Sequence, residues 1–257
     1  MATVYYNGDF HTMTEDAGSV NAVCVENGRF AAVGNYTDFD PALTDDAEMV
    51  NLEGASVFPG FIDTHSCTGL DAFDAKVVKK MNWTDDDITD WIHDAVKYMR
   101  SKGAAIITMH GPEDKPGSLF RRFSDNSSGS FFYNVDYQSE FEKDLGDTDY
   151  YEGILSDPLT SFLLFNPVYD DCDGVRDTLQ ELTIRGARKL GIDDRYGTIE
   201  VGKCADLTVL PHNPYLQNMR SFSRSFSTLV LHDGEPVYSE HDEALDELYN
   251  MMLTQYL

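Results

Sequence analysis

The sequence predicts an α/β fold joined to a β module. Stretches rich in β-forming residues and turn signals occupy both ends of the chain, at residues 1–55 and 197–238. Between them, short apolar strands alternate with amphipathic helical patterns, which is typical of parallel β/α architecture. With 257 residues the chain can bury one large core or two modest ones.

The chain is strongly acidic, with 45 Asp and Glu against 19 Lys and Arg and a formal net charge of −26. A negative surface repels phosphates, so we expect neither nucleic acid nor an anionic membrane as a partner. We expect the excess Asp and Glu residues to form a solvated acidic surface. Such a surface would also suit a protein from a saline habitat.

Two absences in the sequence predict a cytoplasmic protein. The first residues lack a basic segment followed by an apolar one, and no apolar run approaches the ~18 residues that a membrane span needs. Four scattered cysteines are expected to be free thiols in a reducing compartment: Cys24, Cys67, Cys172 and Cys204.

Asn-Gly pairs predict hairpins in the N-terminal part. Asn7-Gly8 and Asn27-Gly28 lie between β-rich runs, and a type I′ turn needs positive φ at both central residues. A further strand at residues 50–52 leads to the apolar segment Val57–Asp63. This segment ends in polar, metal-capable side chains, as a buried parallel strand with a site at its carboxyl end does.

The centre of the chain predicts strand–helix units. Thr84 and Asp87 match a capping box, an apolar stripe with helical spacing runs from Ile88 to Met99, and Gly103 is a stop signal. The later elements are a strand at 104–110 ending in His110, a helix near 116–123, strands at 131–135 and 153–157, and a helix at 174–190 capped by Gly191.

Near the other end, a turn at Val201-Gly202 precedes a strand at 206–210, and Asp233-Gly234 predicts another hairpin. Residues 242–257 have the spacing of an amphipathic helix, which either packs on its own domain or forms a dimer contact.

Two of these segments carry a family resemblance. Residues 59–65, Pro-Gly-Phe-Ile-Asp-Thr-His, resemble the opening barrel strand of the amidohydrolase superfamily of metal-dependent hydrolases, and residues 197–210 resemble its closing signature. The resemblance implies a composite β-sandwich built from both chain ends (residues 1–55 and 196–240). It also implies a TIM-barrel-like β/α domain at 56–195, followed by the C-terminal helix at 241–257.

This barrel is expected to be truncated. A complete (β/α)₈ barrel takes roughly 250 residues, whereas residues 56–190 allow about four units of some 30 residues each. The resemblance matches these units to the eighth, first, second and third strands, a contiguous half-barrel. Since a half-barrel exposes edges and an apolar face, a homodimer could complete it. An open sheet covered by its own helices, or a different partner chain, is the alternative.

The resemblance also implies the site. In the family, a His-x-His on the first strand binds the metal, and an aspartate on the eighth strand takes a proton from the water that the metal activates. His65 matches the first histidine, Cys67 replaces the second, and Asp157 matches the aspartate. His110 could add a third ligand to one divalent metal, which the donor types indicate to be zinc.

Each of these residues has a structural alternative. His65 could be a relic imidazole bound to a neighbour, Cys67 a half-buried thiol, and Asp157 the cap of a helix beginning at Pro158. In that case no metal is bound. The remaining histidines have no comparable placement: His11, His93, His212, His232 and His241.

Three functions follow as hypotheses. The first is a shortened amidohydrolase that hydrolyses a non-peptide C–N bond of a small molecule, with catalysis impaired or lost. The second is a non-catalytic binding or assembly module, and the third is a half-barrel that works only with a second copy or a partner chain. Retained signatures indicate ancestry and do not decide among these hypotheses, because a fold does not imply a function.

Overall fold

The computed structural model describes residues 2–15, 20–66, 84–110, 122, 131–134, 172–222 and 224–240. The predicted strand at 153–157 and the predicted C-terminal helix lie outside these residues, and of the predicted helix near 116–123 only Arg122 is described.

The β-strands of the described residues follow one another along the chain. They are β1 Thr3–Tyr6, β2 Asp9–Phe10, β3 Ala22–Glu26, β4 Arg29–Gly34, β5 Glu48–Asn51, β6 Ser56–Pro59, β7 Phe61–Ser66, β8 Ala104–His110, β9 Phe131–Asn134, β10 Leu207–Leu210, β11 Leu229–His232 and β12 Glu235–Ser239.

The helices are α1 Pro41–Thr44, α2 Asp85–Ser101, α3 Cys172–Gln180, α4 Gly186–Leu190 and α5 Met219–Phe222. A π-helical turn, Glu181–Arg185, joins α3 to α4. In the described part of the chain, no helix combines the length and the apolar character needed to cross a bilayer.

Within the described part of the chain the strands form three sheets with the orders β4-β3-β1-β5, β12-β11-β10-β6-β2 and β7-β8-β9. Strand β6 pairs antiparallel with β10, so strands from the two ends of the chain share the five-stranded sheet. One apolar core contains side chains of both larger sheets, among them Val23, Phe30, Val57, Leu207 and Leu231. These two mixed sheets therefore face each other as layers, while the third sheet is parallel.

Two of the predicted hairpins are confirmed. Asn27 and Gly28 have φ of 51° and 75° and join β3 to its antiparallel neighbour β4. Asp233 and Gly234 have φ of 48° and 79° and join β11 to β12. In both turns the positive φ values are those that a type I′ turn requires.

The predicted hairpin at Asn7-Gly8 is wrong. Strand β1 pairs with β3 and β5, whereas β2 pairs with β6 in the other sheet, so the chain crosses between layers here. A Cβ on Gly8 would lie 2.8 Å from the Phe10 ring and 3.0 Å from a Val57 methyl. The glycine therefore permits close packing at a crossing.

Helix α2 begins at the predicted capping box. The Thr84 hydroxyl accepts a hydrogen bond from the Asp87 backbone N–H at 3.2 Å, and the Asp87 carboxylate accepts one from the Thr84 N–H at 2.7 Å. Ile92 and Met99 of the predicted stripe are buried, and His93 is exposed. The helix ends before Gly103 and leads into β8, which pairs in parallel with β7 as predicted.

The predicted helix at 174–190 exists but is interrupted. Its predicted inward residues are buried: Val175, Leu179, Leu182 and Ala187. At Thr183 the backbone leaves helical geometry (φ −128°, ψ −106°), and the Thr183 hydroxyl donates to the Leu179 carbonyl oxygen at 2.5 Å. Gly191, with φ of 67°, ends α4 as predicted.

The five-stranded and parallel sheets are joined at Gly60, which separates β6 from β7. The Gly60 N–H donates to the Asp206 carbonyl oxygen at 2.9 Å. A Cβ on Gly60 would lie 2.5 Å from the Ala105 Cβ and 2.8 Å from the Asp206 Cβ. This one-residue connection therefore fixes the first parallel strand directly against the layered β module.

Candidate functional site

The carboxyl ends of β7 and β8 form the candidate site that the sequence predicts. The two strands are adjacent and parallel, with Asp63 opposite Ile107 and Ser66 opposite Met109. His65 is the penultimate residue of β7, and His110 ends β8. The carboxyl ends of parallel strands meet at one edge of a sheet, so the backbones of these two histidines come together there.

The structure does not describe the side chains of the predicted site residues. Cys67 and Asp157 lie outside the described residues, and for His65 and His110 the structure describes the backbone alone. Their roles as metal ligands and catalytic base therefore remain predictions. The strand positions bear on the two histidines alone: neighbouring strands lie about 4.8 Å apart, a spacing at which two imidazoles can share one ion.

Helix α4 supports the strand that carries His65. A Cβ on Gly186 would lie 3.3 Å from the Thr64 Cγ2 and 3.4 Å from the Ile62 Cβ, so the helix backbone is nearly in contact with β7. Ile62, Ala187 and Tyr196 belong to one buried apolar cluster. Helix α4, which precedes the closing segment at 197–210, thus packs against β7 and supports the strand that carries His65.

A second polar group lies in the five-stranded sheet, where sequence reasoning assigned no site. His232 ends β11, and its Nδ1 lies 2.9 Å from the Asp206 Oδ2. The backbone N–H of Asp233 donates to the other oxygen of Asp206 at 2.8 Å. Ligand atoms of these three residues lie within 4.8 Å of one another. The sequence analysis gave His232 no role in a site, whereas the structure places it beside Asp206 and Asp233.

Strand pairing is the signal that could have revealed this group. Leu207 lies opposite Leu231 in the antiparallel pair β10–β11, and the next pair in that register is Asp206 with His232. Both strands were predicted from the sequence, but their pairing was not. A long-range register has to be known before two residues 26 positions apart can be placed together.

The surroundings of the pair combine burial with further polar side chains. Burial raises the pKa of the Asp206 carboxyl, and the hydrogen bond with His232 opposes that shift. The Tyr196 ring stacks on the His232 ring at 5.9 Å, and its hydroxyl donates to the Asp233 Oδ1 at 3.1 Å. Burial also raises the pKa of the Cys204 thiol, which interacts with the Asp233 carboxylate and the Tyr196 hydroxyl.

Comparison with known proteins finds a family match in the C-terminal part of the chain. Residues 166–237 match the model of the amidohydrolase family. This part of the chain is similar to the amidohydrolases. The family resemblance that the sequence predicts is thereby confirmed.

Curated relatives match about a quarter of the chain. An N-substituted formamide deformylase of Arthrobacter pascens is 37% identical over 67 residues, which are 26% of this chain and 12% of that protein. The exoenzymes regulatory protein AepA of Pectobacterium carotovorum is 33% identical over 64 residues, 25% of this chain and 14% of that protein. The match thus spans about an eighth of the relatives' own length.

Solved structures have a fold similar to that of this chain over most of its length. An adenosine deaminase from Xanthomonas campestris with bound zinc has a TM-score of 0.59 at 14% identity, with 98% of each chain covered. An amidohydrolase from an environmental sample of the Sargasso Sea has a TM-score of 0.60 at 10% identity, covering 99% of this chain and 97% of the other. At these identities the likeness concerns the fold alone.

Proposed function

We propose that this amidohydrolase relative hydrolyses a non-peptide C–N bond of a small molecule with the help of one divalent metal. The observation that carries the proposal is the placement of His65 and His110 at the carboxyl ends of the adjacent parallel strands β7 and β8. Two proteins similar to this chain, the formamide deformylase and the adenosine deaminase, have names that denote cleavage of such bonds.

In this proposal the roles follow the sequence analysis. His65, Cys67 and His110 would hold the metal, whose chemistry is to lower the pKa of a bound water toward about 7. Asp157 would take a proton from the attacking water and deliver it to the leaving nitrogen. The water oxygen then forms a bond to the substrate carbon as the C–N bond breaks, so that an amine or ammonia leaves.

Cys67 is the reason to expect weakened catalysis. A thiolate in place of the second imidazole of His-x-His adds a negative charge to the site and reduces the Lewis acidity of the ion. We therefore expect turnover below that of a family member with both histidines.

Metal analysis combined with an amine-release assay tests the proposal. The full chain would be analysed for bound metal and then assayed with an N-substituted formamide and with adenosine. His65→Ala should lower the metal content by one ion per chain and abolish amine release. His212→Ala, which alters an exposed histidine, should change neither. A wild-type chain that holds no metal and releases no amine would refute the proposal, as would His65→Ala with both properties intact.

A second candidate is a half-barrel completed by a second copy. Within the described residues β7 pairs with β8 alone in the parallel sheet, which leaves its other edge without a described partner strand. A two-fold dimer would combine two sets of barrel strands around the predicted barrel domain at 56–195, while residues 1–55 and 196–240 would form the composite sandwich.

Light scattering coupled to size-exclusion chromatography tests the dimer. A mass twice that of the 28.9 kDa chain at micromolar concentration is the expected result. A monomer at that concentration would remove this candidate. A dimer that holds no metal and releases no amine would favour the binding or assembly module over the hydrolase.

A further inference from the structure

A cleft of about 750 Å³ lies between residues 9–15 and the helical segment that runs from α3 to α4. That volume is in the range of small-molecule sites. Side chains spaced four positions apart line its helical wall: Arg176, Gln180, Ile184 and Arg188. A cationic group thus lies at each end of this row, and an apolar side chain lies between them.

The π-helical turn Glu181–Arg185 keeps the row on one side of the helical segment. In an uninterrupted α-helix, with about 3.6 residues per turn, residues twelve positions apart are about a third of a turn out of line. A π turn has more residues per turn, so it reduces that offset, and Arg176 and Arg188 line the same cleft. Such turns inside α-helices are frequent at functional sites.

Arg176 and Arg188 are the two cations that an anionic ligand could bind. Both are exposed, and neither forms an ion pair within the part of the chain that the structure describes. The Arg176 guanidinium lies 5.2 Å from the centre of the Tyr215 ring, which also lines the cleft. Arg185 is a third arginine of the cleft, but it already pairs with two carboxylates of its own helical segment.

The facing wall of the cleft is held in place by its own hydrogen bonds. The Thr12 carbonyl oxygen accepts a hydrogen bond from the Ile199 N–H at 2.9 Å, and the Thr12 and Thr14 hydroxyls are 2.8 Å apart. Met13 lies between these two threonines with φ of 59°, and both Met13 and Val20 line the cleft. Both walls therefore contribute apolar side chains.

Two carboxylates also line the cleft. The Asp9 Oδ2 accepts a hydrogen bond from the Asn213 amide at 3.2 Å and lies 3.1 Å from the His11 Nε2, so this group has partners of its own. Glu15 is exposed and forms no ion pair among the described residues. Its charge would repel an anionic ligand, and removing that charge should strengthen binding.

We propose that the cleft binds a small organic dianion with an acidic group at each end and an apolar chain between them. The acidic groups would bind Arg176 and Arg188 through charge-assisted hydrogen bonds, and the chain would contact Ile184. Twelve residues of helix at about 1.5 Å each separate the two arginine backbones by roughly 18 Å. A long dianion therefore suits them better than a single carboxylate or phosphate.

This site is separate from the β7–β8 edge. A Cβ on Gly186 would lie 3.3 Å from the Thr64 Cγ2, so that side of the helical segment faces β7, whereas Ile184 and Arg188 line the cleft. The proposed dianion site therefore does not depend on the hydrolytic function proposed above.

Isothermal titration calorimetry with linear dicarboxylates tests the proposal. The full chain at low salt would be titrated with butanedioate, octanedioate and decanedioate, and with octanoate as the control that carries a single acidic group. We expect octanedioate to bind more tightly than butanedioate and octanoate. Its binding should weaken as salt is added, because salt screens exposed charges.

Arg176→Gln and Arg188→Gln should each weaken octanedioate binding about 10-fold, since each removes a hydrogen bond to a charged group. Arg224→Gln removes the same charge from an exposed position outside the cleft and should leave binding unchanged. Glu15→Gln should strengthen binding. Because all four side chains are exposed, the variants should fold, and circular dichroism would check this.

Three results would each overturn the proposal. They are the absence of dicarboxylate binding at millimolar concentration, octanoate binding as tightly as octanedioate, and wild-type affinity in both Arg176→Gln and Arg188→Gln. These measurements concern neither metal content nor amine release, so failure of this site is distinguishable from failure of the hydrolytic function.

Discussion

Thr208 and Gly103 are joined by a buried hydrogen bond, in which the threonine hydroxyl donates to the glycine carbonyl oxygen at 2.7 Å. The same hydroxyl accepts a hydrogen bond from the Phe61 backbone N–H at 3.1 Å. One side chain of β10 thus connects the first residue of β7 with the turn that leads into β8. The two strands of the candidate site begin at this connection.

Thr208→Val should destabilise the protein although it keeps the shape of the side chain. The change removes the hydroxyl that hydrogen-bonds both the Gly103 carbonyl and the Phe61 N–H, while these two groups keep a longer hydrogen bond to each other at 3.3 Å. The expected loss is therefore the net value of a hydrogen bond, about 0.5–1.5 kcal/mol. Urea unfolding monitored by circular dichroism would measure the loss. Thr208→Ser keeps the hydroxyl and should lose less. A Thr208→Val protein as stable as the wild type would show that the hydroxyl hydrogen bonds do not contribute.

Gly103→Ala should be strongly destabilising because two separate costs combine. The residue has φ of +100°, and a Cβ would lie 2.6 Å from the Phe61 ring and 2.7 Å from the Thr208 Cγ2. Overpacking typically costs about 1–3 kcal/mol, and the unfavourable φ adds about 1 kcal/mol.

Gly54→Ala is the matched control for Gly103→Ala. Gly54 has φ of +83°, yet a Cβ there would meet nothing within 4 Å. The difference in unfolding free energy between the two variants therefore isolates the packing cost. If both variants lose the same stability, close packing at Gly103 does not contribute.

Gly186→Ala sets helix propensity against packing. Alanine is favoured over glycine in a helix by about 1 kcal/mol, but a Cβ here would lie 2.6 Å from the Glu181 carbonyl oxygen and close to β7. We expect packing to prevail, with a lower melting temperature and, if the proposed hydrolysis occurs, slower amine release. Lys189→Ala changes an exposed residue of the same helix and should leave both nearly unchanged. A stabilised Gly186→Ala protein would contradict the close contact of α4 with β7.

The capping box predicts a pH dependence with a definite sign. Hydrogen bonds from the Thr84 hydroxyl and backbone lower the pKa of Asp87 below its ordinary value of 3.8. A lowered pKa in the folded state means that the stabilisation is present above the unfolded-state pKa and is lost as the pH falls through the folded-state value. Asp87→Asn should therefore melt below the wild type at neutral pH.

The difference in melting temperature between Asp87→Asn and the wild type should disappear as the pH falls below about 3.8, which thermal melts at several pH values would show. Asp86→Asn removes the same charge from the same turn without the hydrogen bonds to Thr84, and its effect should be smaller. A difference that persists undiminished at the lowest pH would rule out the ionised Asp87 as its source.

Features governed by neighbours in sequence could be predicted from the sequence alone. The Thr84 cap and the turns at Asn27-Gly28 and Asp233-Gly234 depend on a few adjacent residues, and the structure confirms them. Asn7-Gly8 has the same local signal, but the strand after it pairs with β6 instead of β1. The pairing partner of a strand depends on the packing of the whole core, and a dipeptide such as Asn-Gly does not specify that partner.

The same distinction applies to the candidate sites. The β7–β8 edge could be predicted because an apolar run followed at once by His65, and another ending in His110, is visible along the sequence. The Asp206–His232 pair requires the register of β10 with β11, and the interruption at Thr183 requires the packing of the helix against β7. Neither feature has a local signal, because both result from contacts between distant parts of the chain.

The pairing of β6 with β10 has a consequence for the order of folding during synthesis. Strand β6 is complete at residue 59, but its antiparallel neighbour begins at residue 207. On the ribosome, nearly 150 residues must therefore emerge before that side of β6 is covered. Since Gly60 ties β6 directly to β7, the strand that carries His65 reaches its final support late in translation, and the nascent chain has to keep two apolar strands from aggregating until then.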